Sequence, residues 1–402
     1  AAILPDKEAG NDSELIEELQ STQKKGGPIS ETEEKYSLKV VKRIDMNNTL
    51  LNFSSANWSI TAFACNEESD EWSMWVGCSN GCIAVFSVDS HDLQRVWPGH
   101  DGAVVQLVCL TKVTFSFGSD GWVRVWDALT MNKLAEARPY SMSITCTVAL
   151  TSEVWVSYGE MRVISALPMV DIMKGDCDKK VKHYANFSLK ASAKGGVALV
   201  PTSTKQVLRK KVQLDCVSPK SMVLAEDDQV WVAAGSYLMV LDAAAKPPAL
   251  LFGIQATSSE INEIIVLKDE VWVTTLGGEV MSYKTDGTPV RSSCCHDNII
   301  TCICYNLAEH TVLTSGMDAH VIVWDCMRHT PLTEINLGLV ITRMICVGTN
   351  LIWAATTRSQ IMLYQSQSLA GGFAYQASAR AGIVDFTPSI AQGWGLGDDI
   401  GL

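Results

Sequence analysis

The string WVGCSNGCIAVF, beginning at Trp75, returns along the chain as WVSYGEMRVIS from Trp155, WVAAGSYLMVL from Trp231, WVTTLGGEVMSY from Trp272 and WAATTRSQIMLY from Trp353. Two further segments, FSFGSDGWVRVWD from Phe115 and LTSGMDAHVIVWD from Leu313, keep the pattern with another residue in the tryptophan position. The register positions 75, 115, 155, 231, 272, 313 and 353 are therefore 40, 40, 76, 41, 41 and 40 residues apart. A period of about 40 residues is the length of one four-stranded propeller blade, and self-similarity at that period decides a fold before any local propensity does. Twelve tryptophans against nine phenylalanines agree with one bulky residue being reused at one structural position.

Every copy has the same internal order: an apolar strand, a short polar turn often containing Gly, then a strand of alternating character, which is a hairpin. Ile83 and Val85 recur as Val123 and Val125, Val280, Val321 and Val323, and Ile361 and Leu363, the period-two face that a strand turns to a core. Upstream of the copies lie further alternating apolar strands (104–108, 144–148, 261–267, 299–305, 341–347), and downstream a fourth, more variable one. Four strands per copy predict an all-β fold, a seven-bladed β-propeller of four-stranded antiparallel blades.

Two of the copies closely resemble the WD-repeat family. His100 in PGHDGAVVQL precedes SDGWVRVWD, and His296 in CCHDNIITCI precedes GMDAHVIVWD. By that resemblance His100, Ser116, Asp120 and Trp126 form one buried hydrogen-bonded tetrad, and His296, Ser315, Asp318 and Trp324 another, both structural. The other copies depart from the pattern, with Asn80, Glu160, Ser236, Gly277 and Arg358 at the turn-Asp position, so their identity rests on spacing and the repeated VW string. The resemblance spans roughly residues 39–364. This VW-type repeat is similar to the propellers that accompany another activity in Roco-type kinases, Rho exchange factors, vesicle-trafficking regulators and some inositol phosphatases. It is specific for fold and nearly silent on function, because function resides in sites carried by folds.

The segment YSLKVVKRI, 36–44, is a strand without a blade, and the last copy is followed by QSQSLAGG, a poor outer strand. Pairing the two would close the ring and remove its open edges. The expected propeller thus occupies 35–369, between an acidic linker or tail (1–34) and a Gly/Ala/Ser-rich tail (370–402). The one long gap holds 166–211, read as a basic insertion in which QVLRKKVQL is the displaced outer strand of blade three. The alternative is an eighth, degenerate blade built around VALV at 197–200. The chain opens Ala1-Ala2-Ile3, as a domain cut from a longer polypeptide or a trimmed tag would.

Apolar residues make up 47% of the chain and charged ones 19%, which supplies a sizeable core and excludes global disorder. No apolar run is long enough to span a membrane, and most of the 13 cysteines sit singly in apolar strands, as in a reducing compartment. A cytoplasmic protein is expected. The insertion carries ten Lys or Arg against three Asp, so the chain at −12 has −19 outside it. Lys179, Lys180, Lys182, Arg209, Lys210 and Lys211 are accordingly candidate contacts for an acidic partner or an anionic membrane, through 174–211. The acidic remainder argues against nucleic acid.

No metal site, cofactor or catalytic residue is expected. Cys294, Cys295 and His296 are adjacent rather than spaced as a tetrahedral cage requires, Cys302 and Cys304 read as packing, and no phosphate-cradling motif follows a strand. The residues at the turn and the start of each third strand, Asn80, Trp122, Glu160, Arg162, Tyr237, Glu279, His320 and Arg358, are the partner-binding candidates, Trp122 foremost. The function expected is a non-catalytic protein–protein interaction scaffold, a propeller domain of a larger regulatory protein. The alternatives are a stand-alone scaffold subunit or an anionic-membrane docking module.

Overall fold

A computed structural model describes residues 36–49, 58–67, 71–175, 185–191, 197–208, 216–225 and 228–368. Each repeated segment forms a hairpin within its own antiparallel sheet, and seven such sheets make a seven-bladed β-propeller. The innermost strands, which follow one another around the axis, are Ile60–Asn66, Val104–Cys109, Ile144–Ala149, Pro219–Leu224, Ile261–Leu267, Ile300–Asn306 and Ile341–Val347.

The register residue recurs because it fills the wedge between neighbouring blades. Trp75 of blade one packs with Val104, Leu107 and Trp126 of blade two, and Trp272 of blade five with Ile300, Val312 and Trp324 of blade six. Trp231 meets Ile261 and Ile264 of blade five, and Trp353 meets Val76 and Phe86 of blade one. In blades two and six the smaller Phe115 and Leu313 take this place against blades three and seven. Trp75, Trp155, Trp231 and Trp353 are 0% exposed, so each indole contributes on the order of 4 kcal/mol of burial.

A second device repeats seven times. The innermost strand of every blade skips one residue in its pairing near its start, at Thr61, Val105, Thr145, Lys220, Asn262, Thr301 and Thr342. A bulge re-aims side chains, and here the bulged residue or its successor reaches the backbone of the next blade. Thr61 donates to the Val104 carbonyl, Gln106 Oε1 accepts from the Thr147 amide at 3.0 Å, and Thr145 donates to the Pro219 carbonyl. Ser221 Oγ accepts from the Ile264 amide, Asn262 donates to the Ile300 carbonyl at 2.8 Å, and Thr301 donates to the Ile341 carbonyl. Arg343 Nε then donates to the Thr61 carbonyl at 3.1 Å. All seven junctions are bridged, in one rotational sense.

The ring closes between the two ends of the described chain. Strand Tyr36–Asp45 pairs antiparallel with Gln360–Ser368, from Tyr36 opposite Ser368 to Asp45 opposite Gln360, and becomes the outer strand of blade seven. Leu38, 3% exposed, and Tyr36 pack against the core shared by blades six and seven, and the Tyr36 hydroxyl donates to Glu309 at 2.7 Å.

Blade three differs from its expected composition. Its outer strand is Ala185–Ala191, paired with Val163–Pro168, and Val197–Pro201 adds beyond it while Cys216–Val217 pairs on its other edge. VALV is thus a strand, but it extends blade three instead of building an eighth blade. QVLRKKVQL is not the outer strand: its first residues belong to a short helix, Thr204–Leu208, and 209–215 lie outside the described residues. The helix turns Val207 fully into the blade, a helical spacing that an alternating-strand reading cannot anticipate.

Candidate interaction site

Because strand direction alternates, the turns joining second to third strands lie on the same face as the connections between blades. Two such turns are built on buried four-residue networks. In blade two, Asp120 Oδ1 lies 3.0 Å from His100 Nδ1, His100 Nε2 lies 2.8 Å from Ser116 Oγ, and Trp126 Nε1 donates to Ser116 Oγ at 2.8 Å. One proton arrangement satisfies the whole chain: Nδ1–H donates to Asp120, and Ser116 donates to Nε2 while accepting from the indole. That arrangement needs a neutral His100, and burial together with the Arg124 guanidinium lowers its pKa. Burial pushes the Asp120 carboxyl up, but the His100 bond and the amides of Asp101 and Trp122 outweigh it and hold the carboxyl well below its ordinary range.

Blade six repeats the network with one correction. His296 Nδ1 lies 2.8 Å from Asp318, but Nε2 bonds the hydroxyl of Thr314 at 2.9 Å, which also accepts from Trp324 at 3.0 Å. Ser315, expected in that place, is buried with its hydroxyl unpaired. Successive side chains of a strand point to opposite faces, so a one-residue slip exchanges the two. Counted back from Gly118 and Gly316, Ser116 and Thr314 are equivalent. Those glycines are required: a Cβ at Gly118 would stand 2.2 Å from His100 Nδ1, and one at Gly316 2.6 Å from His296 Nδ1.

Above the first network stands Trp122, half-buried, with the Arg124 guanidinium 5.3 Å and the Arg138 guanidinium 5.7 Å from its ring centre. Arg124 is committed to Glu136, Asp120 and the Gly99 carbonyl. Arg138, on the connection to blade three, keeps a buried Nε with no partner. The indole thus has two cations within cation–π reach of its ring.

The other candidates share this face but not this site, since each belongs to its own blade's turn. Asn80 accepts from the Cys82 amide, closing its turn as Asp120 and Asp318 close theirs. Arg162 donates to the Cys216 carbonyl, Glu279 accepts from Thr257 at 2.7 Å, and His320 lies 2.7 Å from Glu334. Tyr237 is half-buried, and Glu160 and Arg358 are exposed. Lys179, Lys180, Lys182, Arg209, Lys210 and Lys211 lie outside the described residues, as do both tails. Among the described residues no group of three or more His, Cys, Asp or Glu is placed to hold a metal ion, and no helix is long and apolar enough to cross a membrane.

Sequence reasoning overlooked Arg124, Arg138 and the side chains that line the channel. Arg138 sits in an unpatterned connection, so no periodic signal marks it. The channel holds a cavity of about 300 Å³ lined by innermost-strand residues, among them Gln106, Lys220, Asn262, Glu263 and Arg343. Glu263, enclosed by the strands around it, accepts from the Ile303 amide at 3.2 Å, and burial raises its pKa against the opposing influence of Arg343. A polar residue just after the first apolar position of an innermost strand was the available signal.

No family profile matches the chain, and no curated protein matches it. Many solved structures match in fold. One is the crystal structure of the computationally designed protein Ika8, with a TM-score of 0.54 and 17% identity over 78% of this chain and 98% of that one. At that identity the likeness is one of fold. The chain is therefore a seven-bladed β-propeller, an architecture commonly used as a protein-interaction scaffold.

Proposed function

We propose that this propeller is a non-catalytic interaction scaffold of the WD-repeat type, working within a larger regulatory protein, that holds a partner protein on the face carrying Trp122. The two His–Asp–hydroxyl–Trp networks support the WD-type assignment. The observation that carries the docking reading is the half-buried Trp122 ring with the Arg124 and Arg138 guanidiniums 5.3 and 5.7 Å from its centre. Aromatic and arginine side chains dominate interface energetics, and a ring already braced by neighbours loses little entropy on binding. The positive charge of the half-buried Arg138 beside the indole favours an acidic or carbonyl-rich segment.

The test compares proteins captured by wild type, Trp122→Ala and Arg138→Ala, each first shown to melt like wild type. A set of partners lost from both variants, with affinity reduced at least tenfold when remeasured with purified partner, is the expected result. Identical partner sets from all three would overturn the reading.

A further inference from the structure

Two cysteines meet across the junction between blades six and seven. Cys304 and Cys346 stand on neighbouring innermost strands, 42 residues apart in sequence, and their sulfurs are 3.5 Å apart. Cys304 pairs with Leu313 and Ile345 with Trp353, so Ile345 is the repeat equivalent of Cys304 and Cys346 stands one residue further on; strand alternation turns it the other way, back toward blade six. Cys304 is buried and Cys346 half-buried. Two thiols in van der Waals contact across an interface need only small side-chain rotations to reach the roughly 2.05 Å of a covalent S–S bond. The junction is also a distinctive one, because blade seven is the blade completed by the far end of the chain.

We propose that Cys304 and Cys346 form an oxidisable pair whose disulfide staples blade six to blade seven. A peroxide is the oxidant. Cys346, the more accessible sulfur, attacks the O–O bond and becomes a sulfenic acid with release of one water. The Cys304 thiol then displaces a second water from that sulfur, forming the S–S bond. Two thiol hydrogens and one peroxide leave as two waters, the sulfurs giving up two electrons and the peroxide accepting them. A thiol reductant returns both groups to thiols. Because the bond closes a loop spanning an entire blade, it removes freedom from the unfolded chain and stabilises the ring.

The experiment treats the full chain with hydrogen peroxide, alkylates the remaining thiols after unfolding, and maps the digest by mass spectrometry. Cys294 is exposed and serves as the internal gauge of exposure to oxidant. The expected result is a peptide pair joined through Cys304 and Cys346, lighter by two hydrogens and separated by dithiothreitol. An unfolding midpoint several degrees higher in the oxidised protein should accompany it, and that rise should vanish in Cys346→Ser and Cys304→Ser. Recovery of Cys304 and Cys346 as alkylated thiols when Cys294 is fully oxidised would overturn the proposal. So would a midpoint rise that survives in Cys346→Ser. If a variant fails to fold, the wild-type peptide map decides by itself.

Discussion

Thr314 and Ser315 are neighbours with nearly the same chemistry and opposite duties. Thr314 satisfies both His296 and Trp324, whereas the Ser315 hydroxyl is buried and bonded to nothing. Removing a hydroxyl that serves a buried donor and a buried acceptor leaves both desolvated and unpaired; removing one that serves neither does not. Thr314→Val, which keeps volume, should therefore cost about 1–3 kcal/mol, and Ser315→Ala should change stability by less than about 0.5 kcal/mol. Denaturation midpoints of the two variants decide it, and equal losses would place the network on the wrong hydroxyl. The four positions in blade two were all readable in the sequence, because Ser116 has no hydroxyl beside it. In blade six the hydroxyls are adjacent, and only strand alternation, counted from Gly316, distinguishes them.

The element that sets the ring's geometry is the innermost strand with its bulge. Its residues were legible as apolar and alternating, but the bulge was not: the bridging side chains are Thr61, Gln106, Thr145, Ser221, Asn262, Thr301 and Arg343, all polar but of five different types. A repeat search scores identity, whereas this device conserves reach. Blade three was misread for a related reason, since its outer strand follows a segment that breaks the 40-residue spacing on which the reading depended. Glu263 gives the innermost strand a measurable signature. Its folded pKa is raised, so its contribution is complete below the unfolded value near pH 4.3 and is lost as pH rises through the folded value. Glu263→Gln keeps an acceptor for the Ile303 amide and has no proton to lose. The wild-type midpoint minus the variant midpoint should accordingly shrink as pH is raised from 4 to 8. A difference that widens over that range would contradict the direction assigned to Glu263.

At the scale of the whole molecule, seven-fold spacing and closure are what the sequence spelled most clearly. The channel lining and the thiol pair were hidden, because each is assembled from residues that only adjacent blades bring together, whereas Trp122 was legible and the guanidiniums beside it were not. Closure depends on the strand Tyr36–Asp45. Its deletion would leave Gln360–Ser368 as a bare edge, uncover the core beside Leu38, and remove the Tyr36 bond to Glu309. Loss of two buried side chains and a strand's pairing predicts a stability lower by about 5 kcal/mol, with self-association through the exposed edge. Calorimetry and light scattering on a chain beginning at residue 46 test this; an unchanged melting temperature with a monomeric particle would show that the ring closes without its clasp.

The same pairing sets residue 36 beside residue 368, on the face opposite Trp122. A brief linker joining those two positions, with new termini cut into any turn of that rim, would yield a circular permutant with every ladder intact. The order in which the blades are written is thus separable from the shape they make, and cargo fused at either position would hang beneath the disk, clear of whatever sits on its upper side.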